Sequence, residues 1–319
     1  MKECSTCRRC FPDDLNFCGE DGVPLTSTFS GDLIIDGRYR LESWIGHGAM
    51  GSVYRAQHIY LKTIHAVKII HPDLIRNDPK LATRFRQEAM AAAAIQHPNI
   101  VTVTDFGIVD GSRPFLVMEF VKGKSLQEII TAEGAMPPAR VLEFFEQVAA
   151  GVSAAHRYQI IHRDLKPLNI MVQDGKPARE GVKILDFGLA KIKSSDLLGS
   201  FEPAKTDALI GTPYYMAPEQ WSDDECDERT DIYSLGIILF QMLTGDVPFK
   251  GTSIPSIMKK HLMNDPPPFA SVGVHDSSGL EGVVRKTLQK KPDDRPHTVE
   301  ALMKEIRAVV AYRCHVANM

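Results

Sequence analysis

Apolar and polar positions alternate over several short stretches in the first third of the chain and then change to a helical period. Tyr39 to Ile45 alternates as a strand does, Ser52 to Ala56 does so again, and Thr63 to Ile70 predicts a third strand. Phe115 to Val121 is an apolar run of strand length. From Asp78 to Ile95 the pattern predicts a helix, with five alanines after Glu88. It stops at His97-Pro98, because a proline pushes the residue before it out of the α region. Beyond this point helices dominate, predicted at about 140–158, 229–244, 254–264, 279–290 and 297–312. A β-rich first part and an α-rich second part predict an α+β chain with two lobes of different class. There is no internal repeat, and Pro266-Pro267-Pro268 reads as a short rigid loop.

Composition narrows the class. The chain has 319 residues, 44% apolar and 24% charged, which suits a globular enzyme and excludes wholesale disorder or a fibre. The length allows one large domain or two lobes, with room for a small appendage. Thirty-seven Lys and Arg against 40 Asp and Glu leave a net charge of -3, so no large electrostatic footprint for nucleic acid exists. The longest apolar stretch, Leu235 to Leu243, is interrupted by Gln241 and falls far short of the ~20 residues that span a bilayer. Met1-Lys2-Glu3-Cys4 does not open a signal peptide. The expectation is a cytoplasmic protein with neither nucleic acid nor membrane as a partner.

Cysteine usage is uneven. Four of the six cysteines, Cys4, Cys7, Cys10 and Cys18, fall in the first 18 residues. Without a secretion signal, a disulfide framework is not expected. Cys4-x-x-Cys7 has the spacing of a zinc knuckle, and Cys18-x-x-Asp21 resembles its return half with a carboxylate in place of the fourth thiolate. Cys4, Cys7, Cys18 and Asp21 are therefore the candidate Zn2+ ligands, with Cys10 a rival for the fourth place. The competing reading is a decayed ribbon with free thiols. Residues 1–25 form this Cys-rich segment, and 26–37 read as a linker. So short a segment has no core of its own, so metal would have to fold it.

The remaining motifs carry chemistry. Gly46-His47-Gly48-Ala49-Met50-Gly51 lies between two predicted strands. Strand–turn–strand suits a loop closing over phosphates, whereas a dinucleotide turn opens a helix. Ala66-Val67-Lys68 places a cation on an otherwise apolar strand, where it needs a carboxylate or a phosphate; Glu88 is a candidate partner. Then come His162-Arg163-Asp164-Leu165-Lys166-Pro167-Leu168-Asn169, Asp186-Phe187-Gly188 and Ala217-Pro218-Glu219. In this order and spacing, over about residues 36–310, the chain resembles the protein kinases, and among them the eukaryotic-like Ser/Thr kinases of bacteria.

That resemblance implies a bilobal protein-kinase-like fold over 38–312, with an N-lobe at 38–118, a hinge at 119–122, a C-lobe at 123–312 and a tail at 313–319. It implies MgATP as the phosphoryl donor and protein Ser/Thr hydroxyls as acceptors. Gly46, Gly48 and Gly51 would close over the phosphates, Lys68 would hold the α- and β-phosphates, and Glu88 would fix Lys68. Asp186 and Asn169 would hold Mg2+, Asp164 would accept or orient the substrate proton, and Lys166 would stabilise the γ-phosphate. Ile45, Val53, Ala66 and Met171 would sandwich adenine, whose edge would meet backbone groups of Glu119 and Val121, just after Met118. Asp231 should brace the catalytic loop, Glu219 should pair with Arg295, and His162 and Phe187 should belong to the apolar spine.

Regulation is read from the same likeness. Arg163 would pair with a phosphate on the activation segment, Asp186 to Glu219, with autophosphorylation expected at Thr206 and weaker candidates at Ser194, Ser195 and Ser200. Thr212 would hydrogen-bond to Asp164 and Lys166. Leu168 departs from the pattern, because many relatives carry a glutamate there, so a strong preference for arginine in the substrate is less supported. Relatives form homodimers through the N-lobe, and some continue into a membrane span, so the chain is a free kinase or part of a longer protein. Three rival readings meet contrary evidence in the sequence. A pseudokinase scaffold predicts loss of Lys68, Asp164, Asn169 or Asp186, and none is lost. A small-molecule kinase would lack Ala217-Pro218-Glu219, and a zinc-dependent nucleic-acid adaptor conflicts with the net charge.

Overall fold

The structure is a computed structural model, and it describes residues 1–28, 33–48, 50–77, 81–187, 212–222, 224–274 and 279–316. It divides into two compact units, one of residues 1–94 and 102–121, the other of residues 95–101 and 122–319.

The first unit is built on two antiparallel sheets. Strands β1 (Lys2–Glu3), β2 (Cys10–Phe11) and β3 (Thr26–Ser27) form a small sheet in the order β2-β1-β3. The larger sheet contains β4 (Ile34–Ile35), β5 (Tyr39–His47), β6 (Gly51–His58), β7 (Ile64–Ile70), β8 (Val103–Val109) and β9 (Arg113–Glu119), in the order β4-β5-β6-β7-β9-β8. The segment expected as a linker, 26–37, thus carries β3 and β4. The sequence pattern also missed β8, although Asp110-Gly111 after it is a hairpin signal. Both residues sit at positive φ, 52° and 68°, and the Ser112 N–H donates to the Val109 carbonyl at 3.3 Å, as a primed turn requires.

Side-chain alternation gives this sheet two distinct faces. Tyr54, Ala56, Val67, Ile69, Phe115 and Val117 pack with Met1, Ile35, Tyr39 and Leu41 into one core. The register puts Val53 beside Lys68 and Leu116, and Arg55 beside Ala66 and Met118, so these six share the opposite face. Helices α1 (Pro72–Asn77) and α2 (Leu81–Ala94) follow β7; α1 was not anticipated. The buried stripe of α2 is Leu81, Phe85, Ala89 and Ala92, with half-buried Glu88 among them.

The second unit is mainly helical: α3 (Leu126–Glu133), α4 (Pro138–His156), α5 (Pro218–Trp221), α6 (Glu228–Thr244), α7 (Ile254–Met263), α8 (Leu280–Thr287) and α9 (Val299–Val316). A three-stranded sheet of β10 (Gly123–Ser125), β11 (Ile170–Gln173) and β12 (Val182–Ile184) carries the functional loops. Every residue from Thr230 to Leu243 of α6 is buried, so this helix is the centre of the core. Asp227 caps its start by accepting from the Arg229 N–H, and Gly245 ends it at φ 82°. The sequence pattern missed α3, although Ser125 and Glu128 form a capping box, a local signal. Among the described residues no helix is long and apolar enough to cross a membrane.

Candidate functional site

In the first unit the expected residues gather on one face of the large sheet and at one end of it. Gly48 and Gly51 close the turn between β5 and β6 with reciprocal backbone bonds, Gly48 N–H to Gly51 carbonyl at 2.9 Å and the reverse at 3.3 Å. Gly51 leaves no room for a side chain, since a Cβ there would stand 2.1 Å from the Ile69 carbonyl oxygen. Gly46 lies in open space, so a group can approach its backbone. Val53, Ala66, Lys68 and Met118 lie on the sheet face opposite the core described above. Ile45 is exposed, and Lys68 is only 5% exposed, which for an ammonium demands anionic company. At the end of β9 the Glu119 N–H donates to the Thr102 carbonyl at 2.9 Å, and Val121 is buried.

In the second unit Asp164, Lys166 and Asn169 come together. Lys166 Nζ lies 3.0 Å from each carboxylate oxygen of Asp164. Asn169 Nδ2 donates to the Asp164 carbonyl at 2.8 Å, and its backbone carbonyl accepts the Leu185 N–H at 2.8 Å. That bond holds Asn169 beside the strand leaving for Asp186, whose φ is 58°. Met171 lies on β11, paired with Ser125 and Lys183.

Asp231 explains why the loop has this shape. Fully buried, its carboxylate accepts the backbone N–H groups of His162 and Arg163 and a bond from His156 Nε2, each at 2.8 Å. Arg163 is held at φ 63°, a region non-glycine residues rarely adopt. Its carbonyl accepts from Gln220 Nε2 at 2.8 Å. Burial by itself pulls His156 down, but the Asp231 carboxylate, helped by Glu228 and Glu300, overrides it and leaves its pKa above the ordinary 6.5. The sequence reading anticipated Asp231 as the brace. His156 and Gln220 leave no signal in the sequence, because their partners are 75 and 57 residues away and no local pattern joins them.

Two further expectations are met. Glu219 and Arg295 form a bidentate pair at 2.7 and 2.8 Å, with the arginine side chain fully buried. Backbone carbonyls of Arg229, Gln289 and Lys290 take its other N–H groups, so no donor of the guanidinium goes unsatisfied. His162 and Phe187 pack edge to face with ring centres 4.6 Å apart. Thr206 lies outside the described residues, as do Ser194, Ser195 and Ser200, and the Thr212 side chain is likewise outside them.

The N-terminal candidates also converge. One ligand atom from each of Cys4, Cys7, Cys18 and Asp21 lies within 4.8 Å of the others. Cys10 does not join them: it lies on β2 and packs against the apolar core of this unit. Hydrogen bonds from the Cys7, Cys4 and Cys18 thiols hold the Asp21 carboxyl below its ordinary range, and the same carboxylate is the first cause that pushes Cys7 up to about 12.

Comparison with known proteins places this geometry. The family model for the protein kinase domain matches residues 39–306. The chain belongs to that family. This protein kinase domain is similar to the serine/threonine-protein kinase pkn3 of Myxococcus xanthus, 40% identical over 291 residues, 90% of this chain and 52% of that protein. It is 39% identical to PknB of Mycobacterium leprae over 84% of this chain and 42% of that protein. For PrkC of Bacillus subtilis the figures are 37%, 86% and 40%. The chain thus spans about half, or less, of the length of these relatives. Among solved structures, the PknI kinase domain of Mycobacterium tuberculosis matches with a TM-score of 0.68 at 24% identity, over 89% of this chain and all of that one, which supports the fold.

Proposed function

We propose that this chain is a serine/threonine protein kinase that transfers the γ-phosphoryl group of ATP to protein hydroxyls and phosphorylates its own activation segment. The observation that carries this is the loop His162–Asn169. The Lys166 ammonium and the Asn169 amide each hydrogen-bond to Asp164 there, on a backbone pinned by Asp231.

Phosphoryl transfer needs positioning and charge neutralisation more than covalent help. Asp164 is the group that orients the acceptor hydroxyl and takes its proton, and Lys166, 3.0 Å away, offers positive charge to the transferred group. Lys68 is the cation for the donor phosphates, and Glu88, on the buried stripe of α2, is its positioning residue. The glycine turn is tight and carries no side chain at Gly46 and Gly48, which lets a phosphate approach its backbone closely. Glu119 contributes its carbonyl to the adenine edge, because its N–H is engaged by Thr102. Val121 offers a second backbone group, and Ile45, Val53, Ala66 and Met171 offer the apolar walls.

Asn169 and Asp186 supply hard oxygen donors, which suit Mg2+. When bound, the ion neutralises phosphate charge. Arg163 would receive a phosphate on Thr206, and Thr212 would hydrogen-bond to Asp164 and Lys166. Leu168, 45% exposed in this loop, offers no carboxylate to attract a basic substrate residue, so a strong preference for arginine is less supported. Zinc at the N-terminal cysteines, a cytoplasmic location and an N-lobe homodimer complete the reading.

Intact-mass spectrometry tests it. Wild type and Asp164→Asn are stripped of phosphate and then incubated with MgATP. Gains in steps of one phosphate in wild type alone, with fragmentation placing one at Thr206, are the expected result. No gain in either, and none in a generic protein substrate although ATP binds, would overturn transfer in favour of a nucleotide-binding scaffold.

A further inference from the structure

The first 25 residues contain two turns built alike. In one, the Cys4 N–H donates to the Arg9 carbonyl and the Arg8 N–H to the Cys4 carbonyl, both at 3.0 Å, with Arg8 at φ 62°. In the other, the Cys18 N–H donates to the Val23 carbonyl and the Gly22 N–H to the Cys18 carbonyl, both at 2.9 Å, with Gly22 at φ 67°. Cys18 therefore repeats the place of Cys4, and Asp21 repeats that of Cys7. This pairing selects Asp21 over Cys10 as the fourth member of the cluster, which spacing alone left open.

The spacings suit one ion at the centre. The Cys7 and Cys18 sulfurs are 3.7 Å apart. Four ligands at a Zn–S bond of roughly 2.3 Å mark out a tetrahedron with an edge of about 3.8 Å. Asp21 Oδ2 stands 3.1 Å from Cys4 Sγ and 3.3 Å from Cys18 Sγ, shorter as an oxygen ligand should be. Cys4 and Cys18 are buried. Three sulfurs and one oxygen in four-fold arrangement match Zn2+ and not the oxygen-seeking Mg2+ or Ca2+.

The first turn is also fastened to the strand that enters the glycine turn. The Trp44 N–H donates to the Arg8 carbonyl at 2.9 Å, Arg9 bridges to Ser43, and the Arg8 guanidinium lies 4.7 Å over the Trp44 ring. Trp44 stacks on His47 at 4.8 Å, and His47 reaches Glu3 at 3.2 Å and Ser52 at 2.7 Å. The small sheet, with two residues in each strand, has too little core to hold Arg8 at positive φ unaided.

We propose that Cys4, Cys7, Cys18 and Asp21 form a tetrahedral Zn2+ site, and that its occupancy, through Arg8 and Trp44, sets the order of the strand entering the glycine turn and hence nucleotide affinity. The second half rests on the kinase reading of that turn.

The test uses the full chain. Elemental analysis should find one Zn2+ per chain in wild type and in Cys10→Ser, and under a fifth of that in Cys18→Ser. Substitution with Co2+ should give the intense visible bands of a tetrahedral thiolate site, which shift in Asp21→Cys and weaken in Asp21→Asn. These spectra are read on folded wild type as well, so a Cys variant that fails to fold does not leave the site undecided. Loss of metal from Cys10→Ser, or wild-type spectra in both Asp21 variants, would overturn the ligand set. A fluorescent ATP analogue should bind about tenfold more weakly after chelation and recover with Zn2+, and Trp44→Ala should keep its metal yet bind like the chelated protein. Unchanged affinity on chelation would overturn the coupling. Zinc-replete wild type that binds no nucleotide at all would instead overturn the kinase reading, with the metal site intact.

Discussion

Replacing Asp231 with asparagine keeps the side-chain shape and removes one charge. One carboxylate oxygen accepts the Arg163 N–H; the other accepts from both the His162 N–H and His156 Nε2. An amide can turn its oxygen to only one side. If it keeps the shared site, its NH2 faces the Arg163 N–H, donor against donor. The lost bond to a charged acceptor costs about 1.5–3 kcal/mol, and the orphaned donor and the weakened His156 contact bring the total to about 3–5 kcal/mol. For a domain of this size that lowers Tm by about 6–20 °C. Arg163 then has less to hold it at positive φ, and Asp164, the next residue, moves with it. A shift of about 1 Å at a reacting group is worth about 10²-fold in rate, so kcat should fall by that order while the KM for ATP stays within about threefold. The specific readout is His156: without the Asp231 charge, burial is opposed only by Glu228 and Glu300 and its pKa falls, which an NMR titration detects. An Asp231→Asn protein with wild-type kcat, little change in Tm and an unmoved His156 would refute the claim that this carboxylate holds the loop.

Gly51→Ala would set a methyl group against the Ile69 carbonyl, which is backbone and cannot yield cheaply, so it should cost about 1–3 kcal/mol by urea unfolding and raise the KM for ATP several-fold. An alanine variant with unchanged stability would show that β6 and β7 are not in close contact at that point. His261 is fully buried, and desolvation, aided by Lys290, pulls its pKa from 6.5 to about 3. Its folded form binds fewer protons than its unfolded form, so its contribution to stability is complete above pH 6.5 and is lost as pH falls toward 3. That amounts to about 2 kcal/mol between pH 6.5 and 5. His156 has the opposite sign: its contribution is complete below 6.5 and is lost as pH rises through its raised pKa. His261→Gln should flatten the acid limb of the stability profile, and an unchanged limb would exclude His261 as its source.

Much of this protein was legible in residue order alone. The Gly46–Gly51 loop, Lys68, the run from His162 to Asn169 and Asp186 pointed to the family, because in that order and spacing they resemble the protein kinases. Period-2 and helical patterns located β5, β6, β7 and β9 and helices α2, α4 and α6 to α9, since burial on one face imposes the period directly, whereas the two- to four-residue strands are too short to show one. Folding decided what depends on residues distant in the chain. The register of β6, β7 and β9 put Val53, Ala66, Lys68 and Met118 on one face, and no single strand carries that information. The His156–Asp231 contact spans 75 residues and Gln220–Arg163 spans 57, so neither leaves a local trace. The choice of Asp21 over Cys10 was also tertiary. Both can ligate a metal and lie near a knuckle in the sequence, and only the hydrogen bonds of two matching turns carry one into the cluster and leave the other against the core.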